Sequence, residues 1–302
     1  MLYKWISPGW SLVGQGGNDY GSERSVYMGE GIDFEAQIAQ DNAIKAHMEA
    51  IRHKVLVMSG KGGVGKTTVT VNLANALVSM GKTVGVLDTD LHGPNVAKML
   101  GCEDGSLVSN DGGKSFEPFE VRKGLKVMSM AFAVGEDQPV VWRGPMKQAA
   151  IRQFLAECDW GALDYLLIDS PPGTGDEQLT VCQTIKSLDG TVIVTTPQEV
   201  AVLDGRRSVN FAKAMKVRVL GVVENMSGLV CPHCGEEIDL FGKGGGEKMA
   251  KEMEVPFLGF VPIEPALRQE EDAGDNVIAS HPESASAKAF AAIARQMEAQ
   301  LK

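Results

Sequence analysis

Seven short runs in which nearly every residue is apolar punctuate the chain from Lys54 onward: KVLVMS (54–59), TVGVLD (83–88), LKVMSM (125–130), DYLLID (164–169), GTVIVTT (190–196), RVLGVVEN (218–225) and PFLGFV (256–261). A strand with one wet face alternates apolar and polar residues, so unbroken runs predict strands buried on both faces. Between them, helical periodicity predicts helices at about 67–80, 94–101, 145–158, 176–187, 200–215, 245–254 and 284–301. Strands that alternate with helices imply right-handed crossovers in a mostly parallel sheet, hence a doubly wound α/β fold. No Pro- or Gly-rich linker and no internal repeat divides residues 54–302, which predicts one domain there. Residues 1–53 form an N-terminal extension. Phe34 to His53 predicts a helix with Ile38, Ile44, Met48 and Ile51 near one stripe, whereas Met1 to Gly31 is rich in Gly and Ser and shows no period. That stretch reads as a flexible tail or a segment ordered by a partner, with Trp5 and Trp10 pointing to docking on the same subunit or its neighbour.

Composition narrows the function classes. The 302 residues carry a formal net charge of -10, which disfavours a surface built to neutralise nucleic-acid phosphates. No apolar run approaches the roughly 20 residues of a membrane-spanning helix, and the start of the chain lacks the basic and apolar segments of a secretory signal, so a cytoplasmic protein without membrane partner is expected. Five cysteines, an odd number, do not make a secreted disulfide framework. Cys102, Cys158 and Cys182 stand singly in apolar or helical surroundings and read as small buried hydrophobes. Cys231 and Cys234 alone are spaced like ligands.

The chemistry begins at Gly60-Lys61-Gly62-Gly63-Val64-Gly65-Lys66-Thr67, a complete phosphate-loop pattern between an apolar strand and a helix. Its glycines let successive N–H groups turn inward and cradle phosphates at the helix N-terminus; Lys66 then reaches the β- and γ-phosphates and Thr67 ligates Mg²⁺. Thr68 adds a hydroxyl for the α-phosphate. Asp169, closing an apolar strand, is expected to hold Mg²⁺ through water, and Ser170 to Gly175 form a stiff loop near the γ-phosphate. Asp88-Thr89-Asp90 ends another strand on the same carboxyl edge. Asp90 is the candidate for orienting the attacking water, with Asp88 in support; helix capping ahead of Pro94 is the competing reading. Asn225, at the end of its strand, is a candidate for the adenine edge or a turn residue. The second lysine of the loop, Lys61, resembles the signature of the deviant phosphate-loop class that includes the ParA and MinD ATPases, nitrogenase iron protein and the Mrp group. In that class it crosses a dimer interface to the partner's nucleotide, so the resemblance implies a homodimer and counts Lys61 among the catalytic and ATP-binding residues.

Cys231-Pro-His-Cys234-Gly supplies two thiolates, half of a metal or cluster site. With no second CxxC in the chain, a two-fold dimer completes a four-thiolate set on its axis. A redox dithiol is disfavoured because the motif does not open a helix after a strand. His233, between the thiols, reads as a solvent-facing spacer. Thiolates alone do not choose between zinc and iron–sulfur.

Several segments, taken together, do choose. Glu224-Asn-Met-Ser-Gly-Leu-Val-Cys-Pro-His-Cys-Gly, Phe241-Gly-Lys-Gly-Gly-Gly-Glu, Trp142-Arg-Gly-Pro-Met146, Asp169-Ser-Pro-Pro-Gly-Thr-Gly-Asp176 and Val261-Pro-Ile263 occur here in one order. From about Lys54 to the C-terminus the chain closely resembles the Mrp/ApbC family of ATP-binding iron–sulfur cluster carriers. The resemblance implies a MinD-like P-loop NTPase fold and a homodimer with ATP, Mg²⁺ and a labile 4Fe-4S cluster on Cys231 and Cys234 of both subunits. It further implies slow ATP hydrolysis that helps control cluster transfer to apo-proteins. Many bacterial relatives carry an extra N-terminal domain that residues 1–53 are too short to form, and no cysteine precedes Cys102, unlike the four-cysteine site of eukaryotic cytosolic relatives. Three other readings remain: a zinc-clamped dimer, an electron-transfer reductase akin to nitrogenase iron protein, and a MinD- or ParA-like positioning ATPase. The last would want a basic amphipathic surface, whereas the helix from Ser284 to Lys302 reads as ordinary packing through Phe290, Ile293, Met297 and Leu301.

Overall fold

The computed structural model describes residues 34–90, 93–106, 108–109, 115–132, 144–231 and 233–302. The tail with Trp5 and Trp10, together with Trp142, Arg143 and Pro232, lies outside them. Along the chain run α1 (Phe34–Glu49), β1 (Ile51–Ser59), α2 (Lys66–Ser79), β2 (Val84–Asp88), α3 (Val96–Met99), β3 (Phe119–Arg122), β4 (Leu125–Ser129), α4 (Gly144–Glu157), β5 (Leu163–Asp169), α5 (Asp176–Thr184), β6 (Gly190–Thr195) and α6 (Glu199–Ala214). They are followed by β7 (Val219–Glu224), β8 (Leu229–Val230), β9 (Glu237–Ile238), α7 (Gly245–Glu252), β10 (Phe257–Phe260), α8 (Pro265–Ala273), α9 (Val277–Ser280) and α10 (Ala285–Leu301).

Eight strands form one sheet in the order β10-β7-β6-β1-β5-β2-β4-β3. Every pairing is parallel except the edge pair β3–β4. The unbroken apolar runs now have a cause, because alternate residues of each strand feed two separate cores. Val55, Val57, Val86, Leu167 and Val194 pack with α2, α9 and α10 on one face. Leu56, Met58, Leu87, Ile168 and Ile193 pack with α1, α4, α5 and α7 on the other.

Three expectations need adjustment. The predicted Phe34–His53 helix stops at Glu49, and Ile51, placed on its apolar stripe, is a strand residue paired with Leu163. Ile44 and Met48 are buried against the domain while Ile38 is exposed. The edge strand β3 was not foreseen, since its polar-interrupted FEVR carries no apolar run, and α8 and α9 were missed because each buries a single apolar side chain, Leu267 and Val277. The cysteine loop carries a short antiparallel hairpin, β8–β9, two residues per strand.

Parallel register aligns the carboxyl ends of the central strands. Asp88 stands beside Asp169, and Thr195 beside Glu224. The chain runs from β1 to β2 on one side of the sheet and later fills β6, β7 and β10 on the other, which opens a crevice at the strand ends around β1.

Candidate functional site

The loop from Gly60 to Gly65 leaves β1 and enters α2 through Gly63 and Gly65, whose φ angles of 79° and 77° are open to glycine at little cost. The loop is wedged from two sides. A Cβ on Gly60 would lie 2.1 Å from the Asp204 carbonyl oxygen of α6, and one on Gly65 would lie 2.1 Å from Asn225 Nδ2. The amides of Gly63, Val64, Gly65, Lys66 and Thr67 donate to no acceptor among the described residues. Orphan donors in a row at a helix N-terminus are what a polyphosphate satisfies. They open on a cleft of about 410 Å³ lined by Lys61, Thr67, Thr68, Asp90, Lys98 and Glu271, among others. The donor set therefore fits a nucleotide triphosphate with its magnesium.

Beneath the loop, Lys66 and Asp169 form a buried ion pair, Nζ to Oδ2 at 2.7 Å. Thr67 Oγ1 donates to the same oxygen at 2.8 Å and Thr70 Oγ1 to Asp169 Oδ1 at 2.6 Å. The predicted lysine, threonine and aspartate thus meet, with Thr70, unmarked by any motif, fixing the carboxylate. Burial first, and the neighbouring Asp169 charge second, push Asp88 up to about 8. Its carboxyl accepts from the amides of Asp90 and Val96 and from Ser129 Oγ, so it does cap the turn into α3. Asp90 Oδ1 accepts from Gly93 N and its side chain lines the cleft. Lys61 Nζ makes no hydrogen bond or ion pair among the described residues. Asn225 Nδ2 donates to the Val64 carbonyl at 2.9 Å, which makes it a clamp on the phosphate loop, and its Oδ1 engages no donor among the described residues.

Sequence reasoning missed Glu271. This carboxylate of α8 accepts from Thr68 Oγ1 at 3.2 Å and Asn72 Nδ2 at 2.7 Å, and burial pushes it up to about 7. No local motif marks it, because it reaches Thr68 from some two hundred residues away in sequence.

The cysteine pair sits at the tip of the β8–β9 hairpin. Cys231 N donates to Glu236 O and Gly235 N to Cys231 O, a tight turn closed by Gly235 in the left-handed region. Cys231 is half-buried and Cys234 exposed. The Cys234 and His233 amides, then the Cys234 side chain, hold the Cys231 thiol below its ordinary range. His233 is exposed, in keeping with a spacer. Burial raises Cys102 and Cys182 to about 11 and Cys158 higher still, which leaves these three as inert packing groups. Among the described residues no group of three or more His, Cys, Asp or Glu is placed to hold a metal ion, and the hairpin offers two thiols.

A family model described as ParA, the NUBPL iron-transfer P-loop NTPase, matches residues 50–298. The chain belongs to this family. The iron–sulfur cluster carrier protein of Methanocaldococcus jannaschii is 53% identical over 78% of this chain and 81% of its own. Among solved structures, a nucleotide-binding protein from Archaeoglobus fulgidus in complex with ADP shares 41% identity at a TM-score of 0.69, over 78% of this chain and 91% of that one. The Aquifex aeolicus MinD cell division protein, 24% identical over 82% of this chain and 97% of its own, aligns with a TM-score of 0.58 and shows the common fold. This iron-transfer NTPase therefore has the doubly wound sheet expected from its strand pattern and the MinD-like P-loop architecture that the resemblance implied. Its α10 buries Phe290, Ile293, Ala294 and Met297 in the core it shares with α2, so that helix offers no apolar face to a membrane. No helix among the described residues is long and apolar enough to cross one.

Proposed function

We propose that this protein is a cytoplasmic, ATP-hydrolysing carrier that holds a labile 4Fe-4S cluster between two copies of itself and passes it to apo-proteins. One observation carries the reading: a thiol pair with a lowered Cys231 stands on a hairpin that leaves the same strand, β7, whose end clamps the phosphate loop. The cluster is the cargo. Two thiols per chain are half of its ligand set, so the second half comes from the partner copy. Exposed Val230, Ile238 and Leu240 on the hairpin, with Val200 and Leu203 on α6, give such a pairing apolar surface to bury.

The loop amides, Lys66 and Thr68 would hold the phosphates; Thr67 and Asp169 would hold Mg²⁺, whose charge offsets that of the β- and γ-phosphates. Asp90, at the cleft, would orient the attacking water, and Asn225, which keeps its Oδ1 for a further donor, would read the adenine edge. Lys61, which makes no hydrogen bond or ion pair among the described residues, reaches the partner's nucleotide. The Lys66–Asp169 ion pair reorganises when phosphate competes for the lysine, which lets nucleotide state alter the loops beyond Asp90 and Asp169.

Anaerobic reconstitution with ferrous iron and sulfide tests the reading. Wild type should gain a broad visible absorption band with four irons per dimer, and Cys231→Ser/Cys234→Ser should not. A band that persists in the double variant refutes the site. The tight CxxC-Gly turn would also suit tetrahedral zinc, and zinc retained at one per dimer after reconstitution would favour a zinc-clamped dimer instead.

A further inference from the structure

The Gly-rich segment Phe241-Gly-Lys-Gly-Gly-Gly-Glu247 has no role in the chemistry described so far, yet the chain spends three consecutive glycines there. Their neighbour explains them. Glu224, the last residue of β7, is fully buried and forms no ion pair among the described residues. Its carboxylate accepts hydrogen bonds from Ser227 Oγ at 2.6 Å, Gly244 N at 2.8 Å and Gly246 N at 2.5 Å. A side chain at Gly246 would sit 2.9 Å from Thr195 Cγ2 and 3.1 Å from Glu224 Oε2, so the backbone approaches this closely only as glycine. Burying a carboxylate is costly unless such donors surround it, and the donors are correspondingly strongly held.

The two donor sets bracket the hairpin. Ser227 lies just before β8, and Gly244 and Gly246 lie just after the hairpin's return, at the start of α7. Between them the hairpin has little packing of its own, with Val230, Ile238 and Leu240 respectively 57, 42 and 53% exposed. Its placement therefore rests on the carboxylate, on Ser227 N to Val261 O, on Ile263 N to Gly228 O and on the exposed Lys243–Glu237 ion pair. The next residue, Asn225, grips the other functional element, donating to Val64 O of the phosphate loop, with no room beside its amide for a side chain on Gly65. Adjacent side chains at a strand end thus hold the phosphate loop and both feet of the cysteine hairpin. A shift of Val64 and Gly65 bears on Asn225 through this hydrogen bond, and Asn225 shares its peptide bond with Glu224.

We infer that Glu224 is the positioning residue through which the nucleotide loop sets the disposition of Cys231 and Cys234, by a staple from β7 to Ser227, Gly244 and Gly246. The inference deepens the carrier reading and rests on its assignment of the cysteine pair, but its test needs no cluster.

The test uses reduced, cluster-free, full-length protein. Iodoacetamide alkylation rates at Cys231 and Cys234 are followed by peptide mass spectrometry without nucleotide, with Mg-ADP and with a non-hydrolysable Mg-ATP analogue; nucleotide affinity is measured on the same samples. Buried Cys102 and Cys158 report any global opening. Wild-type rates at the pair should change about threefold or more with the ATP analogue. Ser227→Ala removes one foot of the staple while leaving Glu224 its two amides; it should bind nucleotide within about twofold of wild type and lose most of the thiol response. Ser227→Thr, which restores the hydroxyl, should recover the response, and Glu224→Gln should abolish it. A full response in Ser227→Ala, or no nucleotide response in wild type, overturns the inference. Failure of the carrier reading would show separately, as wild type that acquires no cluster on reconstitution.

Discussion

Replacing Glu271 by Gln should remove a pH dependence that the fold builds into the nucleotide cleft. Burial, with a smaller contribution from the Asp272 charge, raises this carboxyl from an ordinary 4.5 to about 7, against the opposing hydrogen bonds from Asn72 and Thr68. The folded chain holds the proton more tightly than the unfolded chain does. The associated stability is fully present below about pH 4.5 and is lost as pH rises through about 7. A gap of this size corresponds to about 3 kcal/mol, of which roughly 2 remains after allowing for partial contact with water. For a domain of this size that is a change in Tm of about 4–8 °C. Glu271→Gln keeps an acceptor for Asn72 and carries no charge, so its Tm should vary less between pH 5 and pH 8.5. Subtracting the two melting curves isolates Glu271 from Asp88, whose value near 8 lies in the same window. Because polyphosphate and carboxylate face the same cleft, Mg-ADP binding near pH 7 should take up a proton in wild type and none in Glu271→Gln. Calorimetry in two buffers of different ionisation enthalpy reads this directly. Parallel melting curves, together with equal proton uptake, would refute the reasoning.

Three further outcomes follow from the same geometry. Lys66→Ala leaves Asp169 buried without its cation and should cost about 3 kcal/mol in denaturant unfolding while abolishing ATP hydrolysis. Lys61→Ala removes a side chain with no partner among the described residues; stability should move by no more than about 0.5 kcal/mol, whereas light scattering with Mg-ATP should show dimer formation lost. Gly60→Ala drives a Cβ into the Asp204 carbonyl, a backbone atom that cannot swing aside; nucleotide affinity, measured by calorimetry, should fall about tenfold or more as the loop is pushed off α6.

The sequence by itself determined the seven parallel strands of the sheet and the phosphate-loop pattern. Unbroken apolar runs identify strands buried on both faces because each residue of such a strand must enter one core or the other, as Leu56 and Val57 do on opposite sides. Gly60 to Thr67 is legible because its function needs consecutive backbone donors, and consecutive residues are what a sequence records. Cys231 and Cys234 stand three residues apart in the sequence, and the structure sets both at the turn of one short hairpin. Tertiary structure decided what depends on contacts between distant positions: Glu271 of α8 against Thr68, Thr70 on Asp169, and the Glu224 carboxylate closing on Gly244 and Gly246. Glu224 reads in the sequence as the polar end of a strand, and only the fold reveals that it is buried and collects its donors from both ends of the cysteine hairpin.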